Sequence, residues 1–155
     1  MKARIKWTEG AMFVGEAGSG HCVVMDGPAD GGGRNLGARP MEMLLLGTGA
    51  CSAYDVVHIL RKGRHDVTDC VAEVAAERAS DEPKVFTRIH IHFIVTGRGL
   101  TPAAVGRAVA LSAEKYCSAS IMMGRAGVEM SHDYEIVDTG SPSVGGDATQ
   151  AGEGA

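Results

Sequence analysis

Two cysteines sit where their surroundings suit thiol chemistry. Cys51 lies in Gly47-Thr48-Gly49-Ala50-Cys51-Ser52-Ala53, a run of small residues that leaves room for a ligand to reach the sulfur. Cys117 lies in Glu114-Lys115-Tyr116-Cys117-Ser118. If a helix begins at Ser118, the Cys117 thiol occupies its N-terminus, where the dipole favours the thiolate, the nucleophilic form. Two such thiols side by side can run a redox cycle. One attacks the O–O bond of a peroxide and becomes a sulfenic acid, the other condenses with it to a disulfide, and a dithiol reduces the disulfide. The cycle needs the two Cα atoms within about 7 Å when oxidised, which the long chain between them neither supports nor excludes. The plainer reading of each residue is a buried thiol packed as a small hydrophobe.

Glu42 is a carboxylate in an otherwise apolar segment and needs a partner or a task. Its simpler role is to meet the positive end of a helix dipole in the first turn. On a straight helix it stands about 13 Å and half a turn from Cys51, so a shared site would need a second subunit or a bend. Cys51, Asp55 and His58 share a helical face and have the composition of a nucleophile triad. Cys51 and His58 would however be about 10 Å apart along the axis, too far for a proton relay. Asp55 reads instead as a buried acid that needs a hydrogen-bonding partner. His90 and His92 alternate on one strand face, which also carries Arg88. No third ligand is apparent and the arginine repels a cation, so a solvated sheet face is expected and no metal site. His21, His65 and His132 are isolated.

The elements that must position these residues are marked by local signals. Ala3–Trp7, Met12–Val14 and His21–Met25 read as three short strands, joined by turns at Glu9-Gly10 and Gly18-Ser19-Gly20. Asp26 to Arg39 is a Gly-rich loop, long enough to suggest function or mobility. Pro40 opens the strongest helix, Glu42 falls in its first turn, and Arg61, Lys62 and Gly63 close it. From Met43 to Ile59 it is apolar nearly all round. That predicts burial on every side and, in so small a chain, a place at the centre of a homodimer. Val67–Arg78 and Lys84–Thr96 are long strands. Val85, Thr87, Ile89, Ile91, Phe93 and Val95 share one face of the second. Thr101-Pro102 caps another helix, with Val105, Ala108, Val109, Ser112 and Tyr116 on one stripe. A pause near Cys117-Ser118, a short helix over Ile121–Arg125 and a strand over Val128–Val137 follow. The order βββ-α-ββ-αα-β is an α+β pattern. One domain spans 1–138. Thr139–Ala155, rich in Gly, Ser and Ala, is expected to be disordered.

The chain has 155 residues, 45% of them apolar and 22% charged. That fits one globular domain with one core. The net charge of −4 and the absence of a dense Lys/Arg run exclude an ordinary nucleic-acid binder. The first residues lack the apolar segment of a secretory signal. Met43–Cys51, the most apolar stretch, is about half a membrane span. A cytoplasmic protein with four free thiols and no membrane attachment is expected, with Cys22 and Cys70 as packing residues on strands.

Pro40-Met41-Glu42-Met43-Leu44 running into Ala50-Cys51-Ser52, followed by Glu114-Lys115-Tyr116-Cys117-Ser118, resembles the OsmC/Ohr family of osmotically inducible and organic-hydroperoxide-resistance proteins, over roughly residues 1–138. The nearest likeness is to its OsmC-like subgroup. The resemblance implies an intertwined homodimer, with long central helices wrapped by antiparallel β-sheets and two sites at the interface. It implies a cysteine-based peroxidase that reduces organic hydroperoxides without a cofactor. A lipoyl-type or thioredoxin-like dithiol would serve as reductant. Cys51 matches the peroxidatic position, Cys117 the resolving one and Glu42 the active-site glutamate. An apolar interface pocket would draw on Met43, Tyr54, Asp55, Tyr116 and Met122. Well-studied members also carry an N-terminal arginine that pairs with the glutamate. Here Gly10–Asp26 has neither Arg nor Lys. That leaves Arg34 or Arg39 to substitute and opens an alternative: a protein of the same fold that binds a small apolar ligand or senses redox state.

Overall fold

A computed structural model describes residues 1–140. The alternation at the start of the chain forms β1 (Ala3–Glu9), β2 (Met12–Ala17) and β3 (Cys22–Met25), paired antiparallel in that order. Gly10 makes the first turn at φ +51, and a Cβ there would meet Gly32 O at 2.7 Å. Only glycine suits such a position. This small sheet packs on little else in the chain. Ile5, Trp7, Phe13, Val23 and Val24 stay exposed. The Gly-rich loop that follows is wound around a buried acid. Asp26 carboxylate oxygens accept from the N–H groups of Gly27 at 2.8 Å, Arg34 at 2.9 Å and Leu36 at 3.1 Å. Those donors, Arg34 N–H foremost, hold its carboxyl below the usual range.

Helix α1 (Pro40–Lys62) begins and ends as its capping residues predict, with Pro40 in the first turn and Gly63 just past the end. Its burial differs from expectation. Thr48, Gly49, Ser52, Val56 and Leu60 are buried along one stripe, while Leu44, Leu46 and Tyr54 face outward. One chain supplies one layer to pack against, so only one face of an all-apolar helix is covered. By length and composition the whole of α1 would also suffice to cross a membrane, which Met43–Cys51 taken alone would not. Here its buried stripe belongs to the core beside the second sheet.

That sheet holds β4 (Asp66–Arg78), β5 (Phe86–Arg98) and β6 (Glu129–Asp138), with β5 in the middle. β4 and β5 are antiparallel, whereas β6 runs parallel to β5. The second sheet is therefore mixed, a departure from the expected antiparallel pairing. Its cause is a helical crossover that carries the chain from the end of β5 back to the end where β5 began. Ile89, Ile91, Phe93 and Val95 form the buried face as their alternation predicts. Val85 and Thr87, expected with them, are exposed, and Phe86 is buried instead. A register shift between Glu77 and Arg78 turns this end of the strand over.

The crossover consists of α2 (Pro102–Leu111), a five-residue π turn (Ser112–Tyr116) and α3 (Ser118–Arg125). Thr101 caps α2, its hydroxyl accepting from Ala104 N–H at 3.2 Å. Val105, Ala108, Val109 and Ser112 are buried as one stripe. Tyr116, expected on that stripe, is half exposed, because the wider π turn rotates it out of phase. α1, α2 and β5 enclose the core around Val56, Leu60, Ile91, Phe93, Val105 and Ala108.

Candidate active site

The π turn decides the geometry of the site. It ends at Cys117, whose backbone is extended (φ −69, ψ 99), and α3 starts at the next residue. Cys117 is thus the N-cap of α3. It is fully buried, and its Sγ accepts from Ser120 N–H at 3.4 Å. Across from it, α1 presents Cys51, Ser52 and Asp55. Ser52 Oγ donates to Cys117 Sγ at 3.2 Å and lies 3.0 Å from Ser120 Oγ. Ser112 Oγ, in the π turn, donates to Ser52 C=O at 3.2 Å and ties the two segments together. The sulfurs of Cys51 and Cys117 and a carboxylate oxygen of Asp55 all lie within 4.8 Å of one another. All four cysteines are free thiols.

The two thiols are tuned in opposite directions. Burial opposes ionisation of Cys117. Hydrogen bonds from the Ser120 and Ser52 hydroxyls, from Ser120 N–H and from the Cys51 thiol outweigh it and hold its pKa below the ordinary thiol value. Cys51 is pushed up, first by burial and then by the negative charge of Cys117 and Asp55, against the help of Ala119 N–H. Of the two thiols, Cys117 is the more readily ionised. Asp55 is itself raised, chiefly by burial. Its Oδ2 is buried without a hydrogen-bond partner.

Glu42 does not join this cluster within the chain. It lies nearer the start of the same unbroken helix, accepts from Arg39 N–H at 2.9 Å and pairs with the Arg39 guanidinium at 3.6 Å. Arg34 pairs with Glu9. Glu42 does line a groove of about 590 Å³ with Leu45, Leu46, Gly49, Ala50 and Val74, between α1 and β4. Of the expected pocket residues, Met43 is half-buried, whereas Tyr54, Tyr116 and Met122 are open to solvent in the single chain. His58 stacks on Tyr54 with ring centres 5.8 Å apart and takes no part in a triad. His90 and His92 do have a third neighbour, since Asp133 Oδ1 lies 3.1 Å from one and 2.6 Å from the other. Of the strand cysteines, Cys22 is exposed and Cys70 half-buried.

The fold that brings these residues together recurs in known proteins. The family model described as OsmC-like protein matches residues 31–133. The chain belongs to the OsmC-like family. Protein YhfA of Escherichia coli strain K12 is 53% identical over 137 residues, covering 88% of this chain and 98% of that protein. A structure solved by structural genomics is 51% identical with a TM-score of 0.81, covering 90% of this chain and 100% of that one. The organic hydroperoxide resistance protein OhrB of Bacillus subtilis shares the fold at 18% identity, with a TM-score of 0.59 over 87% of this chain and 98% of its own.

In this OsmC-like chain the sequence points to both cysteines and to Asp55, but not to the serines. Ser52, Ser112 and Ser120 are buried, and all three bind in or beside the cysteine pair. Their only local signal is a serine directly after Cys51 and another three residues after Cys117. Nothing local says that the two meet.

Proposed function

We propose that the chain is a thiol-dependent peroxidase that reduces organic hydroperoxides, with Cys51 as the attacking thiol and Cys117 as the resolving one. The observation that carries this reading is the pair of free sulfurs within 4.8 Å of each other, one half-exposed and the other at a helix N-cap. Cys51 thiolate takes the distal oxygen of ROOH. The O–O bond breaks, and the alkoxide leaves as ROH with the proton that Cys51 shares with Cys117 or with one from solvent. Cys117 thiolate then attacks the sulfenic sulfur, the S–O bond breaks, hydroxide leaves and takes a solvent proton to become water, and the disulfide forms. A lipoyl-type or thioredoxin-like dithiol returns two electrons. The depressed pKa of Cys117 suits the resolving step, because its thiolate is ready when the sulfenic acid appears. The family and the hydroperoxide-resistance proteins that share the fold support a redox or peroxide-related role. A reducing cytoplasm would keep both thiols available.

The reading includes a homodimer. Two features favour it: the uncovered apolar face of α1 and the N-terminal sheet with Ile5 and Trp7 exposed. Glu42 and Arg39 would reach a cysteine pair only across such an interface. There Met43, Tyr54, Tyr116 and Met122 would become pocket walls suited to an alkyl chain.

Thiol mapping by mass spectrometry tests it. Reduced, metal-free protein given one equivalent of cumene hydroperoxide should form a Cys51–Cys117 disulfide, faster than with hydrogen peroxide. Cys51→Ser should abolish the reaction, and Cys117→Ser should halt it at the sulfenic acid. Cys51 remaining reduced for hours would exclude the peroxidase. One observation favours a second reading, an apolar-ligand binder or slow redox sensor. The Cys51 thiol is pushed up, and neither Arg39, which pairs with Glu42, nor Arg34, which pairs with Glu9, is among the groups that lower it. A single stoichiometric oxidation without turnover by a dithiol would select it.

A further inference from the structure

We infer that the reduced site also binds one thiophilic divalent cation, zinc by preference, through Cys51 Sγ, Cys117 Sγ and an Asp55 carboxylate oxygen. Among the described residues these are the group of His, Cys, Asp and Glu side chains whose ligand atoms come within 4.8 Å of one another. A tetrahedral zinc with bonds of about 2.0–2.3 Å needs its ligand atoms about 3.5–3.8 Å apart, so a contraction of at most about 1.3 Å closes the triangle. The donor set suits the metal. Two thiolates and one carboxylate match a borderline-soft ion, and three protein ligands leave a fourth position for water. Asp55 adds an independent indication. Its Oδ2 is buried with no hydrogen-bond partner, a cost that a bound cation would offset. The ligands are also held in place from outside the triangle. Ser52 and Ser120 fix Cys117, and Ser112 anchors the carbonyl of Ser52, next to Cys51 in the helix. By contrast, the pair His90 and His92 converge on Asp133 at an exposed sheet face, and their ligand atoms do not close to that spacing.

Binding exchanges thiol protons for the metal and leaves both sulfurs fully reduced. The same two sulfurs cannot hold the metal and form a disulfide, so the metal form is protected from peroxide and the disulfide form cannot bind. The inference uses the reduced cysteine pair but does not require turnover.

Cobalt(II) serves as the probe, in full-length protein with Cys22→Ser and Cys70→Ser to remove the other thiols. Anaerobic titration should reach one cobalt per chain, with a thiolate-to-cobalt charge-transfer band and the strong visible bands of tetrahedral coordination. Zinc should displace it one for one. Asp55→Asn, which keeps shape and removes charge, should weaken binding at least ten-fold, the smallest loss seen when a metal site loses a supporting residue. Cys51→Ser should roughly halve the charge-transfer intensity. Prior oxidation to the disulfide should abolish binding. No charge-transfer band in the reduced protein, or unchanged affinity in a folded Asp55→Asn variant, overturns the inference. Disulfide formation in the presence of chelator tests the peroxidase separately, so either reading can fail alone. With both standing, one equivalent of zinc should slow oxidation by cumene hydroperoxide at least ten-fold.

Discussion

Ser52 donates its hydroxyl to Cys117 Sγ over 3.2 Å from the turn of α1 that also carries Cys51, while Ser120 approaches the same sulfur from α3. A hydrogen bond to a charged acceptor contributes about 1.5–3 kcal/mol, and about 1.36 kcal/mol corresponds to one pKa unit. Ser52→Ala should therefore raise the Cys117 thiol and slow its alkylation near neutral pH. The sign follows from the depressed value: the lost donor favoured the anion, so its removal favours the neutral thiol. Rates of alkylation of Cys117 followed by mass spectrometry across pH would show the shift, with Ser118→Ala as control. An unchanged profile would mean that the helix N-terminus alone sets the thiolate.

At the scale of elements, two contacts hold α1 and β6 to their neighbours. A Cβ on Gly49 would meet Val74 Cγ2 at 2.7 Å. Val74 is β-branched and has little freedom to turn away. Gly49→Ala sets an overpacking cost of about 1–3 kcal/mol against a helix-propensity gain of about 1 kcal/mol. A net loss of about 1 kcal/mol is expected in urea unfolding. An increase in stability would show that α1 and β4 can separate freely. On β6, His132 stacks with Phe93 at 6.3 Å and its Nε2 is buried without a partner. Burial first, and then His90, hold its pKa below 6.5. The neutral ring is thus favoured in the fold. Its stabilising share is complete above the unfolded value and is lost as pH falls through the folded one. His132→Phe should remove that part of the acid sensitivity. The gap in melting temperature between variant and wild type should widen in the variant's favour as pH drops below about 6.5. A gap independent of pH would show that His132 does not titrate in this range. His92, raised by its bond to Asp133, slopes the other way in both proteins and cancels in the comparison.

For the whole molecule, the question is what covers the outer face of α1. Leu46 and Tyr54 are 60% and 69% exposed on a helix whose other side is core, and the N-terminal sheet leaves Trp7 61% exposed. A chain of this size rarely leaves several large apolar side chains uncovered on adjoining elements. Light scattering should give twice the chain mass at micromolar concentration. Leu46→Glu should weaken association by about 2 kcal/mol, roughly thirty-fold, if this residue sits at the interface centre. A monomeric wild type would remove the homodimer and, with it, any role for Glu42 at the cysteine pair.

The elements are legible in the chain because their signals are local. Pro40 and Gly63 bound α1, Thr101-Pro102 opens α2, and alternation marks β5. Cys51, Cys117 and Asp55 are legible too, because residue type and helix phase suffice to nominate a thiol or a buried acid. Long-range packing set what remained. The π turn swung Tyr116 outward and made Cys117 an N-cap, and packing of α3 against α1 brought Ser52 and Ser120 to its sulfur. The crossover made β6 parallel, and a register shift in the β4–β5 pair buried Phe86 in place of Thr87. These features depend on contacts between residues far apart in the chain, and no periodicity or capping residue encodes a meeting that only the closed core enforces.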